Sequence, residues 1–185
     1  MSRKIPNKAE RYFTTGLSMI TSIGVNGPNI MTAEWTMQIS YQPVLIAVFI
    51  HKGSETLKNI EKTKEFGVNV ASQEQTSEVS VAGGYSGTEL DKLKIKNIFK
   101  ISKPRKIKTP MIAGCIINAE CRLVKKEQFG DHFMVVGRII HIRHDDFPPL
   151  SLFPVMTAAD LKAELVMPSQ QLLTVVEDAI SLHTM

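Results

Sequence analysis

The sequence predicts a mainly β protein, a closed antiparallel β-barrel with a few short helices packed on its outside. At least six short segments with strand character are separated by turn signals, and only two or three short helical segments lie among them. The Gly-x-Gly-x-x-Gly motif of a Rossmann nucleotide site is absent. A chain of 185 residues, 43% hydrophobic, is long enough to bury the core of one domain.

The first strands form a predicted hairpin. Residues 5–16 predict a short lead-in helix and turn, and residues 17–24 are rich in β-branched and hydroxyl side chains. Asn26-Gly27-Pro28 is a strong turn signal, so residues 29–36 are expected to return as the second strand. The chain is then expected to leave the hairpin near Met37 and to re-enter the sheet at Val44.

The apolar run at residues 44–50 predicts a strand buried on both faces. Lys52 to Ser54 interrupt it, and Ser54 is a good N-cap for a short amphipathic helix with Glu55 in its first turn. The backbone N–H groups at the start of such a helix form an anion site. Residues 66–70 predict the next strand, and residues 73–82 a second short helix that Gly83-Gly84 ends.

The second half of the barrel is expected from residues 98–143. Residues 98–101 predict a brief strand, residues 115–124 alternate in polarity, residues 127–131 form a turn, and residues 133–143 return, buried on both faces. Cys115 and Cys121 are six residues apart in one predicted strand. At about 3.3 Å per residue they would lie roughly 20 Å apart, so two buried reduced thiols are expected.

The C-terminal part differs from the rest of the chain. Phe147-Pro148-Pro149 opens an extended segment, and residues 158–167 and 169–182 predict two helices on either side of Pro168. We therefore divide the chain into a barrel domain at 1–146 and a partly helical extension at 147–185, packed on the barrel or on a partner subunit.

Composition and charge limit the function classes. The charged N-terminus is not followed by an apolar signal region, and no apolar run approaches the ~20 residues of a membrane span, so a cytoplasmic protein without a membrane partner is expected. Eight Lys and Arg residues crowd residues 92–108. They allow an alternative function, a barrel that binds nucleic acid without redox activity, but only Phe99 interrupts them and base stacking would need more aromatic residues.

A metal site is not expected. His141 and His144 lie three positions apart on a predicted strand and therefore face opposite ways, which makes them a poor chelate with Asp145. Small hydroxyl residues, one Trp and one Lys flank the buried strand at 44–50 instead. They suit a flat ligand with a polar edge and an anionic tail, such as flavin mononucleotide (FMN).

Four motifs together resemble one family. They are an Asn29 to Pro43 segment of the form N-x-x-T-x-x-W…S-x-x-P, Lys52-x-Ser54-x-Thr56 after a buried strand, Glu65-Phe66-Gly67-Val68-Asn69, and Gly130-Asp131-His132 followed by Gly137. Ser86-Gly87 and Asp91-Lys92 form a further element. In this order they are similar to the flavin reductase-like proteins with an FMN-binding split barrel, which include flavoredoxins and small NAD(P)H:flavin oxidoreductases.

The resemblance implies a split antiparallel β-barrel, usually a homodimer, that transfers electrons through non-covalently bound FMN. NADH or NADPH would be a transient donor, and a redox partner protein is the alternative source of electrons. The positions that match the family's cofactor-binding residues are Thr32, Ala33, Glu34, Trp35, Thr36, Ser40, Lys52, Ser54, Thr56, Asn69, Ser86, Gly87 and Lys92. His132 is the candidate catalytic residue, for acid–base chemistry or nicotinamide contact.

Each assignment has a structural alternative. Trp35 would otherwise be a core aromatic residue, Lys52, Ser54 and Thr56 a plain helix cap, and His132 a structural histidine. Asn69 would otherwise bond only to backbone. The whole chain would then be a relative that has lost flavin.

Overall fold

The computed structural model describes residues 16–146. The predicted helices of the C-terminal extension and nearly all of the predicted lead-in helix lie outside this range, and the domain boundary at residue 146 stays a prediction. Within residues 16–146, no helix is long and apolar enough to cross a membrane.

The described chain consists mainly of β-strands. The strands are β1 (Ser18–Gly24), β2 (Gly27–Ala33), β3 (Thr36–Tyr41), β4 (Val44–His51), β5 (Glu65–Val70), β6 (Ile101–Ser102), β7 (Met111–Ile112), β8 (Ile117–Phe129) and β9 (His132–His144). The helices are α1 (Glu55–Thr63) and α2 (Thr76–Gly84), with single 3₁₀ turns at Gln73–Gln75 and Lys92–Lys94.

Seven strands form one antiparallel sheet in the order β2-β1-β5-β8-β9-β4-β3, and β6 and β7 form a separate pair. The mainly β class with short helices is confirmed. The sheet is not closed, because its two edge strands β2 and β3 do not pair with each other. The closed barrel expected from the strand pattern is therefore wrong in this respect, and the split barrel that the resemblance implies is confirmed.

The concave face of the sheet holds the main core. Ile20, Val48, Phe66 and Val135 are fully buried there, and α1 covers this face with Leu57 and Ile60. Gly137 of β9 must lack a side chain, because a Cβ there would lie 2.4 Å from the Phe66 ring. The glycine thus leaves room for Phe66, the largest fully buried side chain.

The other face of β1 and β5 holds a second core. Met19, Val79, Ile112 and Cys115 pack there, so the segment around β6 and β7 and helix α2 cover the sheet from outside. Both cysteines are buried and free, as predicted. Burial raises the pKa of the Cys115 thiol to about 12, so it stays protonated at neutral pH.

The structure corrects the long hairpin of β8 and β9. β8 begins at Ile117, after Cys115, and runs to Phe129, so only Gly130 and Asp131 form the turn. The polar residues at 125–128 continue the strand because β9 supplies their backbone partners. β9 was expected to be buried on both faces, but only residues 135–137 are fully buried.

Three element boundaries and the burial of one strand also differ from the expectation. The excursion expected between residues 37 and 44 is strand β3, whose pairing with β4 has a bulge between Gln38 and Ser40. β4 is exposed at Val44 and only half-buried at Leu45 and Phe49, so it is not buried on both faces throughout. α2 begins at Thr76 and includes the two glycines. The strand expected at 98–101 is β6, at 101–102.

Candidate functional site

Trp35 lies at the surface beside the ends of β4 and β9. It sits in the two-residue link between β2 and β3, and its carbonyl accepts a hydrogen bond from the Phe49 N–H at 3.0 Å. Its ring centroid lies 5.0 Å from that of His132 and 6.4 Å from that of Phe49. With 41% of its surface exposed, Trp35 offers a ring that a planar ligand can contact.

Sheet pairing places a second histidine next to His132. His51 ends β4 and is the direct partner of His132, with ring centroids 5.5 Å apart. The Nδ1 atom of His132 lies 2.7 Å from the Asp131 carboxylate, and this hydrogen bond lowers the pKa of Asp131. Lys52 donates its backbone N–H to the Asp131 carbonyl at 3.0 Å, so the β8–β9 turn fixes the chain just before α1.

The start of α1 is not closed by its own N-cap. The Ser54 hydroxyl lies 3.4 Å from the Met31 sulfur and makes no capping bond to the helix backbone. Among the described residues, no carboxylate lies within 4.0 Å of the exposed Lys52 ammonium. Glu55 is paired with Lys58 at 3.2 Å, along the helix. Free N–H groups, a hydroxyl and a cation therefore lie together at this helix end.

Asn29 connects Thr56 to the loop that contains Ser86 and Gly87. Its amide donates to the Thr56 hydroxyl at 2.9 Å. A Cβ at Gly87 would lie 2.3 Å from the Asn29 oxygen, so only glycine lets the loop come this close. Ser86 is exposed and bonds the Thr88 hydroxyl at 2.7 Å. An open cleft of about 250 Å³ lies between this loop, α1 and the β1–β2 turn.

Lys92 does not face this cleft. Only 3% of its surface is exposed, and its ammonium donates to the carbonyls of Ala82 at 2.9 Å and Tyr85 at 3.0 Å, near the end of α2. Burial lowers its pKa to about 8. Lys92 thus connects the last turn of α2 to the following loop. The sequence does not reveal this role, because Lys92 lies among lysines that are exposed.

Asn69 is also engaged inside the protein. Its amide donates to the Met19 carbonyl at 2.8 Å, and its oxygen accepts from the Ile112 N–H at 2.9 Å and the Asn118 amide at 2.8 Å. It is fully buried and ties three parts of the chain together. Asn69 therefore bonds side chains as well as backbone, and its part in cofactor binding stays a prediction.

The remaining candidates are spread along β2 and β3. Thr32 donates its hydroxyl to the Val79 carbonyl at 2.6 Å, which joins β2 to α2. Ala33 and Thr36 are buried, and Glu34 is half-buried in the link between the strands. Ser40 lies four residues beyond Thr36 on β3, about 13 Å away along a strand, so the chain alone does not bring it to Trp35.

The structure thus brings Trp35, Lys52, Ser54 and His132 to one end of the barrel, with Thr56 and Gly87 next to them. Sequence reasoning did not select His51, Asp131 or Asn29. Asp131 adjoins His132 in the sequence and Asn29 opens the first motif, but their contacts with His132 and Thr56 appear only in the structure. His51 is found only from the β4–β9 register. Among residues 16–146, no group of three His, Cys, Asp or Glu side chains is placed to hold a metal ion.

Comparison with known proteins identifies the family. Residues 10–155 match the model of the flavin reductase like domain. The chain belongs to this family. The family recognised from the motifs is therefore confirmed, and with it the general class of flavin-dependent oxidoreductases.

The matches cover most of this chain and most of each relative. The chain is 36% identical to an uncharacterised protein of Archaeoglobus fulgidus, over 79% of this chain and 81% of the relative. It is 28% identical to the FMN reductase (NADH) SmoA of Agrobacterium fabrum, over 75% of each chain. Its fold is similar to that of the flavoredoxin from Methanosarcina acetivorans, with a TM-score of 0.67 and 24% identity over 78% of this chain and 77% of the other.

Proposed function

We propose that this protein binds FMN non-covalently at the end of the barrel formed by Trp35, His132 and the start of α1, and transfers electrons from NADH or NADPH through it. The observation that carries this proposal is the pair of exposed Trp35 and half-buried His132, with centroids 5.0 Å apart. It lies beside a helix start without a side-chain cap and beside Lys52, whose ammonium has no carboxylate of residues 16–146 within 4.0 Å. A flavin needs both an apolar surface for its rings and an anion site for its phosphate.

The residues at the start of α1 fit a phosphate. Lys52 would supply a positive charge, and Ser54 with the first N–H groups of α1 would supply hydrogen bonds. Thr56 is bonded to Asn29 and would position that first turn. Glu55 is the acidic residue in the first turn of α1, and one of its carboxylate oxygens is paired with Lys58.

The aromatic pair would orient the flavin rings. The chemistry that FMN supplies when bound is hydride acceptance from a reduced nicotinamide and electron donation to an acceptor. The protein's own task is then to bind, orient and shield the reacting partners. Asp131 holds the Nδ1 atom of His132, which leaves Nε2 as the ring nitrogen that would hold or pass a proton.

We further propose a homodimer. β3 is an edge strand of the sheet, and Met37, Ile39 and Tyr41 expose 49%, 46% and 85% of their surface along it. Exposed apolar residues on an edge strand are a typical interaction surface. Light scattering of the purified protein tests this, and a monomer at micromolar concentration would contradict it.

The anion site is tested by comparing FMN with riboflavin, which lacks the phosphate. Lys52→Gln is expected to raise the Kd for FMN about tenfold, because a charge-assisted bond is lost, and to leave the Kd for riboflavin unchanged. Flavin fluorescence quenching measures both constants. Lys62→Gln, which removes an exposed lysine from the other end of α1, is the matched control and should change neither.

The proposed phosphate site would be contradicted if Lys52→Gln weakened the binding of FMN and riboflavin equally, or weakened neither. Titration of the FMN-loaded protein with NADH and with NADPH then separates a reductase from a carrier. In a reductase, NADH or NADPH bleaches the absorbance of the bound flavin. In a carrier, the flavin is reduced by a partner protein, so neither nucleotide bleaches it.

A further inference from the structure

The charge of this protein is concentrated in one segment. The chain has 22 Lys and Arg against 18 Asp and Glu. Residues 92–119 contain no carboxylate and eight cations, so the rest of the chain has 14 cations against 18 carboxylates and is acidic overall. The positive net charge therefore comes from this segment alone.

Most of these cations are exposed and form no ion pair with a described carboxylate, although Lys100 is near enough to Glu78 to act on the pKa of that carboxyl, which burial raises and the lysine lowers. Lys92 is buried, and Lys94 is paired with Asp91 at 2.9 Å. The other six are exposed, and within the described part of the chain none lies within 4.0 Å of a carboxylate. They are Lys96, Lys100, Lys103, Arg105, Lys106 and Lys108.

Two carboxylates, Glu120 and Glu65, bind the backbone N–H groups of this segment. Glu120 is 3% exposed and accepts the N–H groups of Arg105 at 2.8 Å, Lys106 at 2.6 Å and Ile107 at 3.0 Å. Glu65 accepts the N–H of Lys108 at 3.1 Å. The charge of the side chains therefore remains available to a partner, while the chain that bears them is fixed.

The other end of the segment is fixed as well. Ala113 donates its N–H to the Lys100 carbonyl at 2.8 Å, and Arg143 donates from Nη1 to the Ser102 hydroxyl at 3.1 Å. Ile98 and Ile107 are buried beneath the segment. Because the backbone is already ordered, a partner that binds here has to immobilise only the side chains.

An exposed apolar residue lies among the cations. Ile101 has 50% of its surface exposed and is flanked by Lys100 and Lys103. An apolar centre with a charged rim is typical of protein–protein interfaces. The segment has no exposed aromatic ring for base stacking, since Phe99 packs against the core, and this disfavours single-stranded nucleic acid.

We propose that Lys96, Lys100, Ile101, Lys103, Arg105 and Lys106, here called the basic surface, dock a protein partner with an acidic surface. Complementary charge would speed the encounter, and Ile101 would supply the apolar contact. Docking here does not require flavin, so its failure would leave the proposed FMN site intact.

Two labelled acidic peptides of equal length and charge test this surface, one with repeated Glu-Glu-Gly units and one with repeated Glu-Glu-Leu units. The full-length protein is expected to bind the leucine peptide more tightly at low salt, by fluorescence anisotropy. Lys100→Gln with Lys103→Gln should weaken both peptides about tenfold. Ile101→Ser should remove only the advantage of the leucine peptide.

The matched control is Lys62→Gln with Arg138→Gln, which removes two exposed cations that, like Lys100 and Lys103, have no carboxylate of the described residues within 4.0 Å, and which should leave both affinities unchanged. All changed side chains are exposed, so circular dichroism and melting temperature should stay as in the wild type. Three results would overturn the proposal. The control variant could weaken peptide binding as much as the Lys100 and Lys103 changes do, or neither peptide could bind. An equally charged single-stranded oligonucleotide could also bind more tightly than both peptides.

Discussion

Two regions of this barrel use the same kinds of polar residue in opposite ways. At the end formed by β4, β9 and α1, Lys52 and Trp35 are exposed and Ser54 leaves the helix uncapped. Asn69 in β5 and Lys92 beside the end of α2 are instead buried and make several hydrogen bonds to the protein itself. Residue type alone does not separate the two regions.

The difference lies in whether the protein supplies the partners. A buried polar group that is fully bonded stabilises the fold and has nothing left for a ligand. An exposed group without an internal partner contributes little to stability and remains available. Changes at Asn69 and Lys92 should therefore alter stability, and changes at the exposed end with Trp35 and Lys52 should alter flavin affinity.

The largest expected effect is on stability, from Asn69→Ala. The change leaves a carbonyl, an N–H and the Asn118 amide without their partner, so the free energy of unfolding should fall by about 3–5 kcal/mol. Urea unfolding measures it, with the exposed Gln128→Ala as control. The comparison fails if Asn69→Ala keeps wild-type stability but loses FMN affinity.

Lys92 should give stability a distinct pH dependence. Its pKa is about 8 in the folded protein and 10.5 when unperturbed, so between these values the unfolded state binds more protons. The free energy of unfolding should then rise with pH across this window, by up to about 3 kcal/mol, and Lys92→Met should lack this rise. Urea unfolding at several pH values measures the difference, and parallel pH profiles would show that Lys92 is not desolvated.

The smallest expected effect concerns Trp35. Trp35→Leu removes an exposed ring, so stability should change by less than about 1 kcal/mol, while the Kd for FMN and for riboflavin should both rise about three- to tenfold. Trp35→Phe should restore most of the affinity. A large loss of stability with unchanged flavin affinity would instead make Trp35 a core residue.

Elements with local signals could be predicted from the sequence. The Asn26-Gly27 turn correctly located the first hairpin, because turn preferences depend on a few adjacent residues. Ser54 correctly located the start of α1, although its side chain makes no capping bond. Strand β3 and the far half of β8 were missed. Residues 125–128 of β8 are exposed and all polar, so only pairing with β9 makes them a strand. β3 does alternate in polarity, but its apolar residues Met37, Ile39 and Tyr41 are exposed, and it forms a strand by pairing with β4.

The site was predictable only where its residues are neighbours in the sequence. The phosphate-binding candidates Lys52, Ser54 and Thr56 lie within one short segment, and the sequence shows their proximity directly. The Trp35–His132 contact joins residues nearly a hundred positions apart and depends on the β4–β9 register. Lys92 matches a cofactor-binding position of the family, and nothing near it in sequence reveals the two carbonyls that its ammonium binds.

The central claim is that the exposed end of the barrel holds FMN, and the visible absorbance spectrum of the freshly purified protein tests it most directly. We expect a yellow protein that releases FMN on heating, identified by mass, in a ratio near one per chain. A colourless protein that also fails to bind added FMN at micromolar concentration would contradict the claim. The exposed Trp35 and Lys52 would then have to be explained without a flavin.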